Sequence, residues 1–562
     1  MFIRKKSSTL TTSVQIVENK RIWKKTKQKV LKHVWSVKND DKKWMSSLLK
    51  LAEYMKYALE KDNQVGILPL EGLEQWVVET IEKNIEKRDK KEEEKEHKVN
   101  IYDLEEEGRV IKWISDIYWP MYEQLWFDSI FWRRKKTKNY ANILKQLTLA
   151  RVASPKSKRA TVEMLGQNYW IQINLNSVYK MMKWITNEKI EEIQDLAFNY
   201  TKRILKEKIN VLFMDGTSLY FESQNEDWFR EKWYSKDWKF SETQVSLTLL
   251  VTESWLPIWY KLYNGSHYEW NSLKDTIEEV EKKYDINKVI LVADSWFLNK
   301  ENTDYLDERW NKYIMWARIK NTTKKLQEQI TDKSKYIVTK KDKSWYMIKG
   351  YIELDYKGKK MVVTYSKKRA NKDQKEREKN IKKLLKKEGQ KVGNLISNFW
   401  YKKFLKQDWE DKIKIDVEKI EKAELWDWLH WVITNDKNLD IAEIRTHYRW
   451  LWQVEESFRI NKHDLLIRPI FHWTEQKIRA HVAIAFMSFT LVRHLEYRIK
   501  LSWHNYSPEI VRRELLRIQW SIVSERGKED KKWFLPSSIS KIWQNIYKSM
   551  WKKWNTCVQD FY

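Results

Sequence analysis

The chain has 562 residues, a net charge of +29 at pH 7 and a single cysteine. One cysteine excludes a disulfide framework and any multi-cysteine zinc site, while the excess of Lys and Arg points to a polyanionic partner. No apolar stretch reaches the ~18 uninterrupted residues of a membrane span, and Met1–Lys6 is not followed by a signal-peptide core, so no membrane role and a cytoplasmic setting are expected.

In chain order, residues 1–60 read as a small β-hairpin/helix unit, with strands near Val14–Val17 and Val30–Val34 and a helix over 48–59. Residues 61–104 form a charged helix or linker around the mixed run Lys83–Lys98. Residues 105–207 read as helical from Ile111 onward, with Leu144–Arg151 spaced for one apolar face. This block carries Arg133, Arg134, Lys135, Lys136 and Lys138, then Lys156, Lys158 and Arg159. Such a helical block suits DNA, because phosphate contacts supply most nucleic-acid affinity; for any one lysine a solvated face is the plainer reading.

Residues 208–312 alternate strand and helix, with a long β run at Gln244–Thr252 and a helix at Ser272–Tyr284. Residues 313–430 break the alternation with short strands at Tyr313–Met315, Tyr346–Ile348, Tyr351–Leu354 and Met361–Tyr365, plus a helix at Asp373–Lys387. Residues 431–500 return to the core through Trp431–Asn435 and a helical run from Ile441, and 501–562 read as a basic helical tail. The fold class is α/β, with a helical N-terminal region ahead of a core that a β-rich segment interrupts.

The most unusual number is 34 Trp against 11 Gly. At about 7% glycine a chain of this size carries roughly 39. Trp238 follows Asp237 where Asp-Gly would make a hairpin turn, and Trp255 and Trp270 stand in polar loops. The expectation is a gene that uses UGA for glycine, read here as Trp. A Trp-rich surface for stacking on bases is the alternative, but stacking residues cluster and these recur along the whole chain.

Three carboxylates carry the chemistry. Asp215 ends the apolar run Val211–Met214, Asp294 ends Val289–Ala293, and Glu455 sits in the helical stretch from Tyr448, with Lys462 two turns later. Two strand-end aspartates and a helix glutamate can hold two Mg²⁺ ions, with Mn²⁺ a chemical substitute, as in-line phosphoryl displacement requires. A strand-end Asp alone is more often a turn former. His267 and His463 read as ordinary polar residues because a hard ion prefers oxygen, and Thr217 and Ser218 lack a His–Asp arrangement for serine chemistry.

At these residues the chain resembles the DDE transposases of bacterial insertion sequences, in the group with a Tyr-x2-Arg-x3-Glu-x6-Lys motif. The resemblance is carried by Met214-Asp215-Gly216-Thr217-Ser218-Leu219-Tyr220-Phe221-Glu222, Val292-Ala293-Asp294-Ser295, Tyr365–Asp373, Ile467-Arg468-Pro469-Ile470 and Lys477–His481. It implies an RNase H-like core with Asp215, Asp294 and Glu455 as metal ligands, a β-rich insertion between the second and third acids, and cut-and-paste transposition. Implied partners are double-stranded DNA, as transposon ends and target, and a second copy in a homodimeric synaptic complex; nucleoid association follows. Tyr448 and Lys462 match the motif and would contact DNA, Glu456 is the rival third ligand, and Leu451 stands at the motif's Arg position, leaving Arg449 or Arg459 as substitutes. In the family Trp452 and Trp473 fall where a bulky residue is common, and Trp233, Trp238, Trp255, Trp270, Trp296 and Trp316 where Gly is usual. The rival expectation is a catalytically inactive, transposase-derived DNA-binding protein.

Overall fold

The computed structural model describes residues 2–38 and 101–560 apart from 8–10, 23–24, 112, 132–137, 207–208, 223–224, 233–240, 268–270, 285–288, 295–296, 310, 317–321, 342–346, 386–403, 408–412, 428, 527 and 551–558, and also residues 45, 48, 49 and 52. The first elements, β1 (Phe2–Ser7), β2 (Thr11–Ile22) and β3 (Lys25–Lys38), make one antiparallel sheet. The expected 48–59 helix and the 61–104 linker lie almost wholly outside the described residues.

Strand β4 (Leu104–Val110) precedes five helices: α1 (Trp113–Gln124), α2 (Lys138–Ala153), α3 (Lys158–Tyr169), α4 (Leu175–Lys183) and α5 (Asn187–Ile204). Their starts follow capping chemistry. Ser157 Oγ accepts from the Ala160 N–H and Asn174 Oδ1 from the Asn176 N–H, satisfying amides that have no partner within the helix. Helix α4 buries Val178, Met181 and Met182, the helical spacing of one apolar face.

The large sheet begins with β5 (Val211–Tyr220), β6 (Glu231–Lys232), β7 (Thr243–Thr252) and β8 (Pro257–Tyr263), then α6 (Ser272–Tyr284), β9 (Ile290–Ala293), α7 (Lys300–Glu308) and β10 (Lys312–Trp316). It continues through α8 (Lys324–Thr331), β11 (Ile337–Lys341), β12 (Met347–Tyr356), β13 (Lys359–Ser366) and α9 (Lys367–Leu385). A separate pair, β14 (Leu405–Gln407) and β15 (Ile413–Ile415), and α10 (Val417–Leu425) lead back to β16 (Leu429–Thr434). The strand order is β11-β12-β13-β16-β10-β9-β5-β7-β6, with β8 on β7. Strand β7 runs antiparallel to both β5 and β8, whereas β9 runs parallel to β5 and β10 parallel to β9. The segment expected as an insertion therefore extends the same sheet, because β16 zips antiparallel onto both β10 and β13.

All ten residues of β7 are buried, so both faces of the sheet are covered. On one face Leu212, Met214, Leu250 and Trp259 meet Leu273, Ile277 and Val280 of α6. On the other lies the helical layer: α11 (Ile441–Trp450), α12 (Trp452–Arg459) and the long α13 (Glu475–Leu501). Helix α13 is apolar on nearly every side and touches α1, α2, α4, α5 and β8, with Phe486 against Tyr260 at 4.7 Å. No helix among the described residues is long and apolar enough to cross a membrane.

The C-terminal part departs from the expected helical tail. After α14 (Pro508–Arg517) come β17 (Trp520–Glu525) and β18 (Lys528–Pro536), then α15 (Lys541–Ser549) and β19 (Gln559–Asp560). Strand β17 pairs antiparallel with β18 and with β4. Trp520 packs edge-on to Phe534 at 5.3 Å, a cross-strand aromatic contact that a count of basic residues does not reveal. The expected helical region likewise opens on a strand, β4.

Candidate active site

Parallel pairing of β5 and β9 sets Met214 opposite Ala293. The next residue along each chain is an acid, so Asp215 and Asp294 stand side by side. Asp294 follows the end of β9 as expected, but Asp215 does not end its strand, because β5 runs on to Tyr220 and pairs Asp215 with Leu249 of β7. Asp215 Oδ1 accepts a hydrogen bond from the Gly216 N–H at 2.7 Å. Helix α12 packs against β5 and carries Glu455 on its exposed side, with Val454, Ser457 and Phe458 buried beneath.

Electrostatics tie the third acid to the second. Burial raises the Glu455 carboxyl above the usual carboxylate range, and the negative charge of Asp294 raises it further. Burial first, then the charges of Asp294 and Glu455, push the Tyr448 phenol well above its ordinary value. Asp294, Glu455 and Tyr448 thus share one locale. Glu456 faces elsewhere: its carboxylate takes two hydrogen bonds from Arg459, at 2.7 and 2.6 Å, and that pairing lowers its pKa. Between the rivals, Glu455 is the one that feels the charge of Asp294.

His430 on β16 completes the surroundings and was not singled out in the sequence. Its ring lies 4.5 Å from that of Tyr448 and stacks on Trp316 at 6.2 Å. Burial, helped by the positive charge of Arg369, draws its pKa down to about 4, so the imidazole is neutral near pH 7. The only sequence signal was indirect, since Arg369 lies in one of the blocks that carry the family resemblance.

The remaining expected contacts divide. Leu451, at the motif's Arg position, is buried at the joint between α11 and α12 and packs into the main core. Arg459 pairs with Glu456 and reaches Asp464 at 3.7 Å. Lys462 does not lie on a continuous α-helix with Glu455. Residues Ile460–Asp464 form a π-helical turn, closed by Leu465 N–H donating to Ile460 O at 2.8 Å, which widens the turn and changes the phase of Lys462 relative to Glu455. Arg133, Arg134, Lys135 and Lys136 lie outside the described residues. Lys158, read as part of a solvated basic face, is instead buried. His267 stacks on Tyr263 at 4.1 Å, and His463 is exposed.

The donor chemistry suits a hard divalent ion: carboxylate oxygens, two of them on acids near enough for their charges to repel. Among the described residues, however, no three His, Cys, Asp or Glu side chains close into one ligand set. Glu455 lies within the electrostatic reach of Asp294, with Asp215 on the adjoining strand.

No family model matches this chain, and no curated protein matches it. Among solved structures, a piggyBac transposase synaptic complex with hairpin DNA aligns at 10% identity over 72% of this chain and 76% of that one, with a TM-score of 0.35. A Mos1 transposase paired-end complex with the left transposon end aligns at 11% identity over 48% of this chain and 76% of that one, with a TM-score of 0.14. Both scores are too low to carry an argument, and the site stands on its own geometry.

Proposed function

We propose that this chain is a DDE-type transposase, which binds the ends of its insertion sequence as double-stranded DNA and carries out metal-dependent cleavage and strand transfer as a homodimer. The observation that carries the reading is the packing of α12 against β5, which brings Glu455 within reach of the negative charge of Asp294, next to Asp215 on the adjoining strand. Supporting it is the order β8-β7-β5-β9-β10, three antiparallel strands followed by two parallel additions, which is the arrangement an RNase H-like core requires. The run from β11 to β16 is then the β-rich insertion between the second and third acids.

In this reading Asp215, Asp294 and Glu455 would hold Mg²⁺, or Mn²⁺ in its place. The ion would neutralise charge on the scissile phosphate and lower the pKa of a water. The protein's own part is positioning. Sheet register fixes the two aspartates, α12 presents the glutamate, and Tyr448, flanked by neutral His430, keeps a protonated hydroxyl that can donate to a DNA phosphate.

The test is incubation of the protein with duplex DNA bearing its element's ends and Mg²⁺. Strand cleavage that Asp215→Ala abolishes supports the proposal. Intact DNA binding with no cleavage under any divalent ion would sink it in favour of the inactive DNA-binding protein.

A further inference from the structure

A second site lies away from the three acids. Helices α2, α3, α4 and α13 and the segment after the π-helical turn enclose a cavity of about 310 Å³ whose charged lining is wholly cationic. Arg151, Lys158 and Arg468 line it together with His472, His481 and Tyr179, and no Asp or Glu does.

Two of these cations are buried. Arg151 is 4% exposed and is fixed by donating through Nη1 to Leu465 O at 2.8 Å and Leu466 O at 3.1 Å. Lys158 is 6% exposed, and among the described residues it has no carboxylate or carbonyl partner; its charged neighbour is Arg151. An ammonium buried beside a guanidinium is costly unless something negative joins them. Lys158 is also the first residue of α3, whose amino end carries the positive pole of the helix. His481 donates through Nε2 to Ile467 O at 3.1 Å, while its buried Nδ1 has no partner.

From these features we infer that the cavity binds a phosphate group. Given the transposase reading, on which this step rests, that phosphate belongs to the backbone of the bound DNA. Exposed Lys156 and Arg159 at the rim continue the positive track outward. Arg468 lies over the ring of Tyr220, the last residue of the strand that carries Asp215, at 4.7 Å, which places the cavity on the flank of the acid-bearing sheet.

The variant that tests this is Lys158→Met, which keeps the length of the side chain and removes the buried charge. Binding of a duplex bearing the element's end is measured without divalent metal, so that the result is independent of cleavage, and inorganic phosphate is added to the free protein in thermal melts. The expected results are a roughly tenfold or greater loss of DNA affinity, a salt-dependence slope smaller by about one, and stabilisation by phosphate of the parent protein but not the variant. Unchanged affinity and slope would overturn the DNA assignment. If phosphate nevertheless protects only the parent, the cavity takes free phosphate; if it protects both equally, there is no phosphate site. Cleavage lost in a protein that still passes the binding test would overturn the catalytic reading and leave this one standing.

A separate observation concerns the backbone. Trp126, Trp170, Trp255 and Trp503 have φ of 60°, 56°, 68° and 61°, the left-handed region that favours glycine. Trp170 and Trp503 follow helices α3 and α13, and the next residue of each donates back into the last turn, Ile171 N–H six positions back to Leu165 O at 3.0 Å and His504 N–H five positions back to Ile499 O at 3.1 Å. That is the bond of a glycine-terminated helix. Trp126, half-exposed, lies just past the end of α1 with the same left-handed backbone. Trp255 is the third residue of the β7–β8 loop, a left-handed position that in such hairpin loops is normally glycine; Trp255 N–H donates to Thr252 O at 2.9 Å and Thr252 N–H to Leu256 O at 3.0 Å. We infer that the native translation product carries glycine at these four positions, through UGA read as glycine. Peptide mass spectrometry of the protein from its own host should give glycine masses at all four; tryptophan masses there would overturn the inference.

Discussion

Arg493 on α13 donates through Nη2 to Ser457 Oγ on α12 at 2.9 Å, with both groups buried. Its Nη1 is held in turn by Glu496 at 2.6 Å. Ser457 is on the buried side of the helix that presents Glu455, so this bond fixes the rotation of α12 and hence the aim of the third acid. Arg493→Met should leave DNA binding intact and slow single-turnover cleavage by about tenfold or more, on the scale felt when a supporting contact behind a metal ligand is lost. Loss of binding and cleavage in equal measure would show a merely structural role.

Glu455 and Glu456 separate cleanly in charge-removal variants. Glu455→Gln should reduce cleavage by about 10² or more, as losing one preorganised electrostatic group does, whereas Glu456→Gln should leave most activity. The Glu455 pKa is raised in the fold. Its ionised form is therefore penalised, a cost present above the folded pKa and absent as pH falls below the unfolded value. In chelator at neutral pH, Glu455→Gln should melt at a higher temperature than the parent; the difference should vanish in acid and shrink with added Mg²⁺.

Acid should unfold the protein through its buried histidines. Burial draws His472 and His494 down to about 3 and His430 to about 4, with nearby cations adding to the effect. These depressed values contribute stability that is full above the unfolded histidine pKa and is lost as pH falls toward 3 or 4. Each should add a slope of about 1.4 kcal/mol per pH unit within that window. His494, whose Nε2 lies 3.2 Å from Thr201 Oγ1, is the one to replace: His494→Gln should flatten a pH series of denaturant midpoints.

Arg377 on α9 forks onto Asp427 at 2.5 and 2.9 Å and onto Glu424 at 3.2 Å, joining α9 to the end of α10. Both Arg377 and Asp427 are largely buried. Arg377→Ala should cost about 3–5 kcal/mol by leaving a desolvated carboxylate unpaired, measured by denaturant unfolding.

Trp126→Gly, Trp170→Gly, Trp255→Gly and Trp503→Gly run against the usual direction of such changes. Each should stabilise the fold by about 1 kcal/mol, because a left-handed backbone costs a side-chain-bearing residue about that much. Destabilisation by all four would show that the indoles contribute packing that outweighs the backbone.

Much of the acid-bearing sheet was legible in the sequence, because an apolar run declares its strand; the exit point was legible only at Asp294, since β5 continues past Asp215 through the mixed run Gly216–Tyr220. Helix α6 falls on the residues its periodicity marks, Ser272–Tyr284. Whether Glu455 or Glu456 faces Asp294 could only be weighed from spacing, since adjacent helical residues differ by about 100° around the axis. His430 was invisible because nothing local distinguishes a strand histidine that a helix from elsewhere will cover. The π-helical turn at Ile460–Asp464 and the burial of Lys158 were equally hidden, being set by tertiary packing. The β17–β18 hairpin escaped because its basic residues masked a short apolar alternation.

The pairing of β4 with β17 has a consequence for biosynthesis. Strand β4 is made early, yet its partner begins at Trp520. While the chain is being synthesised, β4 therefore exposes an unpaired edge that other strands can join. Pairing with β17 covers one edge of β4, which remains the outer strand of its sheet, so this sheet joins segments more than 400 residues apart and can close only after Trp520 has been made.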